Sequence, residues 1–176
     1  MMFTYCPSCG KKNSVQKLDD TNYECGSCRW HFWNNAKAST CLFLLRSDGY
    51  FLAAKRGREP NKGKYEAVGG FIEYNEDPTD AVIRETLEET NLIAKNPLLI
   101  AAYPHVYTPN SLPPVSTTDL IFATFEWEGE PQAGDDVEEL TWQPLELIQK
   151  PSFVPAYPAE LLAKLRALIR PGRATG

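Results

Sequence analysis

Two apolar runs stand close together in the first third of the chain, "STCLFLLRS" at 39–47 and "YFLAAKR" at 50–56, separated by Asp48-Gly49. Runs of this length around an Asp-Gly pair read as a β-hairpin with the pair at its turn. A basic loop, "GREPNKGK", follows, and "YEAVGGFIE" reads as a strand interrupted by Gly69-Gly70. The pattern then changes to a helical one. Asp77 fits the N-cap, Pro78 the first helical position, Asp80 a box-like first turn, and Asn91 a left-handed C-cap after Thr90. Further strands are predicted at "LLIAAYPHVY" and "TDLIFATFEW", and "EELTWQPLELI" reads as a strand passing into a short helix. "PAELLAKLRALI" is amphipathic, with Leu161, Leu162, Leu165, Leu168 and Ile169 on one side. Strands with interspersed helices imply an α/β or α+β sandwich. The end, 171–176, reads as a disordered tail.

The first 35 residues break this pattern. They are short of aliphatic residues and hold four of the five cysteines, spaced C-x2-C-x15-C-x2-C: Cys6, Cys9, Cys25 and Cys28. That spacing suits a four-cysteine zinc site. Each pair sits in a tight turn, where Gly10 and Gly26 can relax the backbone, and four thiolates leave no open position on the ion. The site is therefore read as structural Zn²⁺ in a small ribbon over 1–35, ahead of a main domain over 36–170. Two disulfides are the competing reading, and a reducing cytoplasm argues against them. His31 is left as a surface or packing residue, and Cys41, in an apolar run, as a buried thiol.

Composition adds limits. Of 176 residues, 43% are hydrophobic and 23% charged, which suits one domain with a core and an appendage. The net charge of -5 argues against a nucleic-acid or anionic-membrane partner. No apolar run is long enough for a membrane span, and the N-terminus lacks a secretory pattern, so the cytoplasm is the expected location.

The charge that remains to be explained is concentrated on the predicted helix. With Glu85 at 0°, Glu88 lies at about 300° and Glu89 at about 40°, so three carboxylates share an arc of about 100°. Ile83, Leu87 and Thr90 then fall opposite and are expected to face the core. Like charges at i,i+4 repel by a few tenths of a kcal/mol. A divalent cation reverses that sign, and hard oxygen ligands on a rigid face suit Mg²⁺ or Mn²⁺ with a phosphate. The plain alternative is a solvated acidic face.

The stretch "GFIEYNEDPTDAVIRETLEETNL" resembles the signature of the Nudix hydrolases. Gly70, Glu76, Arg84, Glu85, Glu88, Glu89 and Leu92 stand at its spacings, while Thr86 replaces a hydrophobic residue and Asn91 a glycine. The resemblance implies an α/β/α sandwich with a mixed sheet, and cleavage of the diphosphate in a nucleoside diphosphate derivative by water attacking phosphorus. It further implies Glu85 and Glu89 as main Mg²⁺ or Mn²⁺ ligands, Glu88 as ligand or water partner, and a carbonyl from Gly69 or Gly70. Arg84 would orient Glu85, with Glu76 as its partner. The base is a motif glutamate or one of Asp135, Asp136, Glu138 and Glu139. A ribbon ahead of such a domain is similar to the NADH pyrophosphatase branch, but the downstream signature of that branch is absent from "AAYPHVYTPNSLPPVSTTDLIF".

Substrate contacts are placed on Tyr103, His105 and Tyr107, whose aromatic faces suit a base, and on the basic set Lys55, Arg56, Arg58, Lys62 and Lys64, which suits phosphates. A non-catalytic nucleotide sensor or nucleic-acid-binding regulator on the same fold is the competing reading. The ribbon as a homodimerisation element is a third.

Overall fold

The computed structural model describes residues 2–109 and 113–169, so the tail expected at 171–176 lies outside the described residues. The chain divides into two compact units, Met1–Ala36 and Lys37–Gly176.

The first unit is a three-stranded antiparallel sheet of β1 (Val15–Lys17), β2 (Asn22–Cys25) and β3 (His31–Trp33). Each cysteine pair closes a tight turn: the Gly10 N–H donates to the Cys6 carbonyl at 2.9 Å, and the Arg29 N–H to the Cys25 carbonyl at 2.9 Å. The left-handed residues follow the second cysteine of each pair, Gly10 at φ 72° and Arg29 at φ 63°. Gly26 is therefore not the relaxing residue of the second turn. Cys6, Val15 and Cys25 form a small buried core, with Phe3, Tyr23 and Trp30 against it.

In the second unit, β4 (Lys37–Leu44) and β5 (Tyr50–Arg56) come first. The turn predicted between them is present: the Gly49 N–H donates to the Arg46 carbonyl at 3.1 Å, and the Arg46 N–H to the Tyr50 carbonyl at 2.8 Å. The hairpin ladder is not, since beyond a bridge at Leu45–Phe51 the two strands part. β4 joins a mixed sheet, parallel to β9 (Val115–Thr124), which in turn pairs antiparallel with β8 (Leu98–Tyr107). β5 lies between β6 (Tyr65–Glu66) and β11 (Val137–Pro144). The reason is burial. Cys41 to Leu45 and Phe51 to Ala54 are all buried, so each strand needs packing on both faces, as a central strand has. β7 (Ile93–Lys95) and β10 (Glu126–Glu128) form a separate antiparallel pair.

Alternate side chains of these strands feed two cores. Cys41, Phe43, Leu45, Phe51, Ala53, Ile121 and Ala123 face one side, where Leu161 and Leu165 of α2 (Ala159–Ile169) close the layer. Leu42, Leu44, Leu52 and Phe122 face the other, beneath Val82 of α1 (Pro78–Thr90). The period of two along each strand thus yields an α/β/α sandwich. Leu162, Leu168 and Ile169 are only partly buried, at the margin of the α2 contact. No helix among the described residues is long and apolar enough to cross a membrane.

Candidate active site

α1 begins and ends where its caps dictate. Asp77 accepts the Thr79 N–H at 2.7 Å, Pro78 occupies the first turn, and Asn91 adopts φ 59°, donating its N–H to the Leu87 carbonyl at 2.9 Å. Beyond the cap, the Gln132 N–H donates to the Thr90 carbonyl at 2.8 Å and the Gly134 N–H to the Glu89 carbonyl at 3.0 Å. The last carbonyls of the helix are thereby satisfied by a distant loop.

The buried face of α1 differs from the one predicted. Ala81, Val82, Thr86 and Thr90 are buried, Ile83 is partly buried, and Leu87 is 45% exposed. The helix is turned so that its core face centres near Val82 and Thr86, which brings Glu89 to the edge of that face. The carboxylate arc therefore borders the core instead of opposing it. Thr86 occupies a position meant for an apolar residue without an orphaned hydroxyl, because that hydroxyl donates to the Val82 carbonyl at 2.6 Å.

Opposite the helix, residues 68–72 run beside β4 as an irregular strand. The Leu42 N–H donates to the Val68 carbonyl at 2.7 Å and the Thr40 N–H to the Gly70 carbonyl at 2.8 Å. A Cβ on Gly69, at φ 151°, would lie 2.1 Å from the Thr40 carbonyl oxygen. One on Gly70 would lie 2.5–2.6 Å from the Glu85 carboxyl group. The two glycines let backbone and carboxylate meet. The Gly69 N–H also donates to Glu89 Oε2 at 3.1 Å. The Gly70 carbonyl keeps a second lone pair beyond the one Thr40 uses.

Arg84 ties the acids together. Its guanidinium donates to both Glu76 oxygens at 2.7 and 2.9 Å, to Glu85 Oε1 at 2.8 Å, to Glu88 Oε2 at 3.3 Å and to the Phe71 carbonyl at 3.2 Å. The Arg84 fork, with the Glu73 N–H, holds the Glu76 carboxyl down at about 2. Burial raises the Glu85 carboxyl against the opposing pull of Arg84. Burial also pushes the Glu89 carboxyl up to about 8, with the Glu66 charge adding to it and the Gly69 N–H pulling it down. Glu88 stands apart, its side chain 52% exposed.

Glu85 and Glu89 form one wall of a cavity of about 450 Å³, with Gly69 and Gly70 beside them. His105, Tyr107 and Arg56 also line it, as do Asp135 and Asp136. Other candidates lie elsewhere or are already paired. Tyr103 packs on Tyr157 with ring centroids 6.2 Å apart, lies under Lys164, and buries a hydroxyl that has no partner among the described residues. It is a packing residue, as an inward aromatic on a strand commonly is. Glu138 pairs with Lys55 at 2.8 Å, with Glu139 at 3.9 Å from the same amine. Arg58 bridges to Asp135 and Asp136. Arg56 is held by both oxygens of Glu66 at 2.6 and 2.8 Å and by the Pro60 carbonyl at 2.7 Å, so it is a committed partner and not a free phosphate clamp. The sequence reading missed Glu66 and Asp119. Both are carboxylates inside strand patterns, Asp119 in "TTDLIFAT", where an acid amid apolar residues is itself the signal.

In the first unit, the ligand atoms of Cys6, Cys9, Cys25 and Cys28 all lie within 4.8 Å of one another. Two of the Sγ pairs are 3.7 and 3.9 Å apart, and all four thiols are free. A tetrahedral ion with Zn–S of about 2.3 Å requires sulfurs about 3.8 Å apart, and the spacing of these four thiols fits such an ion. His31 stacks on Trp33 at 4.2 Å and is no member of the cage.

Comparison with known proteins agrees with this geometry. The profile of the family described as NUDIX domain matches residues 35–165. An ADP-ribose pyrophosphatase of Methanocaldococcus jannaschii is 34% identical over 110 residues, 62% of this chain and 63% of that protein. The NAD-capped RNA hydrolase NudC of Vibrio parahaemolyticus is 30% identical over 109 residues, 61% of this chain and 40% of that protein. The chain thus spans less than two thirds of the length of these relatives. The solution structure of the E. coli ORF135 protein superposes with a TM-score of 0.62 at 24% identity, covering 79% of this chain and 96% of that one, which shows the shared fold. With the family profile matched across most of its length, the chain belongs to the Nudix family.

Proposed function

We propose that the chain is a Mg²⁺- or Mn²⁺-dependent diphosphatase. It cleaves the diphosphate linkage of a nucleoside diphosphate derivative, a dinucleotide or an ADP-ribose-like molecule, by attack of water on phosphorus. The observation that supports it best is the cavity wall where Glu85 and Glu89 stand beside the Gly69–Gly70 backbone. ADP-ribose and NAD, which the names of the two relatives carry, both contain an adenosine diphosphate joined to a second ribose, and that is the substrate class assigned.

Glu85 and Glu89 would hold the ion, with the Gly70 carbonyl oxygen beside them. A divalent ion there polarises a phosphoryl oxygen and lowers the pKa of a bound water. Arg84 fixes the Glu85 carboxylate, and Glu76 fixes Arg84, so the acids are set before substrate arrives. Glu88, exposed and linked to Arg84, would serve as a ligand or as a water partner. Asp135 or Asp136, on the cavity wall, is the downstream candidate for the base. The base of the nucleoside lies against His105 and Tyr107. In the first unit the four cysteines hold structural Zn²⁺ in a ribbon over 1–35, and 36–170 form the hydrolase domain. The cytoplasm is the location this reading assigns.

Hydrolysis with Mg²⁺ or Mn²⁺ tests the proposal, over NADH, NAD⁺, ADP-ribose, dinucleoside polyphosphates, nucleotide sugars and nucleoside triphosphates, with Glu89→Gln in parallel. Metal-dependent cleavage lost in the variant is the expected result. A folded wild-type chain inactive on all of them supports a nucleotide sensor instead. Sizing the chain with and without 1–35 decides whether the ribbon carries a homodimer.

A further inference from the structure

The cavity has a second acidic feature, away from α1. The β8–β9 register sets Asp119 opposite Tyr103 and Thr117 opposite His105, which places Asp119 on the diagonal from His105. The Asp119 side chain is only 9% exposed. Three hydroxyls donate to it: Ser39 at 2.6 Å, Thr117 at 2.9 Å and Tyr157 at 3.4 Å. The fourth neighbour is His105, whose Nδ1 lies 3.4 Å from Asp119 Oδ2. A buried carboxylate requires donors of this kind, which the three hydroxyls supply, and the ring nitrogen lies within ion-pair reach of the same carboxylate. Such contacts at a site are commonly long before the ligand binds and shorten with it.

The consequence concerns the ring. An imidazole that gives its Nδ1 hydrogen to a carboxylate keeps its other nitrogen, Nε2, as an acceptor. His105 lines the same cavity as Glu85 and Glu89. We propose that Asp119 is a positioning residue that holds His105 as the Nδ1–H tautomer, so that Nε2 accepts a hydrogen bond from an O–H or N–H of the substrate's nucleoside. The pair then sets which nucleoside is accepted and leaves the chemical step to α1. This inference rests on the nucleotide reading above.

The chain has two histidines, His31 and His105, so the ring nitrogens of each can be followed by ¹⁵N NMR on the full protein. Wild-type His105 is expected to show a protonated Nδ1 and an unprotonated Nε2, and Asp119→Asn to lose that preference. A wild-type His105 protonated on Nε2 alone overturns the proposal. Titration with AMP should shift the Nε2 resonance. If IMP fails to do so the donor is the base amino group, and if 2′-deoxy-AMP fails it is the ribose hydroxyl. No shift with any of the three overturns the proposal. In hydrolysis, Asp119→Asn should raise KM about tenfold with kcat changed less than about threefold, and should add little in a His105→Gln background. A fall in kcat at constant KM, or a full effect without His105, overturns it. If the wild-type chain hydrolyses nothing, the diphosphatase reading fails, while the tautomer and the AMP titration still judge this inference separately.

Discussion

Glu89 carries opposite costs with and without a cation. Its carboxyl is raised to about 8 from an ordinary 4.5, and burial likewise raises Glu66 and Glu85. Between those values the folded chain keeps a proton that the unfolded chain has released. Without added divalent ions the stability Glu89 contributes is therefore full below about 4.5 and is lost as pH rises through about 8. We expect a higher Tm at pH 5.5 than at pH 8.5, a smaller gap in Glu89→Gln, and a smaller gap again when Mg²⁺ or Mn²⁺ is added to wild type. A gap untouched by the substitution would show that Glu89 is not its source. Hydrolysis by the variant should fall at least about a hundredfold. Arg84 acts at the same scale through shape. A lysine keeps the charge but cannot fork onto Glu76 while reaching Glu85 and Phe71. Arg84→Lys should lower kcat about tenfold to a hundredfold with the Tm little changed, and wild-type kinetics would show that Glu85 needs no such brace. These motif residues were legible in sequence because carboxylates repeated at helical spacing repel one another along one face unless a cation binds among them. Asp119 and Glu66 left only the mark of an acid inside a strand pattern, since each owes its role to partners the fold brings in.

Helix and glycine loop face each other across a narrow gap, and the two glycines fail differently when filled. Gly69→Ala sets a Cβ 2.1 Å from a backbone oxygen of β4, at a φ that side chains rarely adopt. Neither the strand nor the loop can yield, so a loss of stability of about 2 kcal/mol or more is expected in denaturant unfolding. Gly70→Ala meets only the far end of Glu85, a side chain that can swing away. That variant should unfold close to wild type and lose hydrolysis about a hundredfold or more. Equal loss of stability in both would show that Glu85 is locked too firmly to move. The limits of α1 were readable from local chemistry, Asp77, Pro78 and Asn91 each acting within a turn. Which face it buries was not. The rotation that hides Thr86 and exposes Leu87 is set by Leu42 and Leu44 of β4 pressing from elsewhere in the chain. The Asp48-Gly49 turn was similarly readable, while the parting of β4 and β5 depends on partner strands about 80 to 95 residues later.

At the scale of the whole chain, two units are stabilised by different physics. The larger has two apolar cores on either side of its strands. Apolar runs along β4, β5 and β9 made those strands visible in sequence, although the parallel pairing of β4 with β9 left no local mark. Among its described residues the smaller unit buries only Cys6, Val15 and Cys25, with three aromatic residues around them. So small a core cannot offset the ordering of about 35 residues, and a staple is required. Its cysteine spacing pointed to four thiols brought together, as the structure has them. Structural zinc in such cages contributes about 10–16 kcal/mol at neutral pH, more than enough to fold the unit. We therefore expect about one zinc per wild-type chain by atomic emission. Cys25→Ser replaces a buried ligand and should abolish it. Hydrogen exchange then locates the damage: amides of β1, β2 and β3 should lose protection, while those of β4, β5 and β9 keep theirs, because their burial owes nothing to the cage. Protection retained in β1–β3 without zinc would show that Phe3, Tyr23 and Trp30 suffice to hold the sheet, and the four thiols would need another purpose.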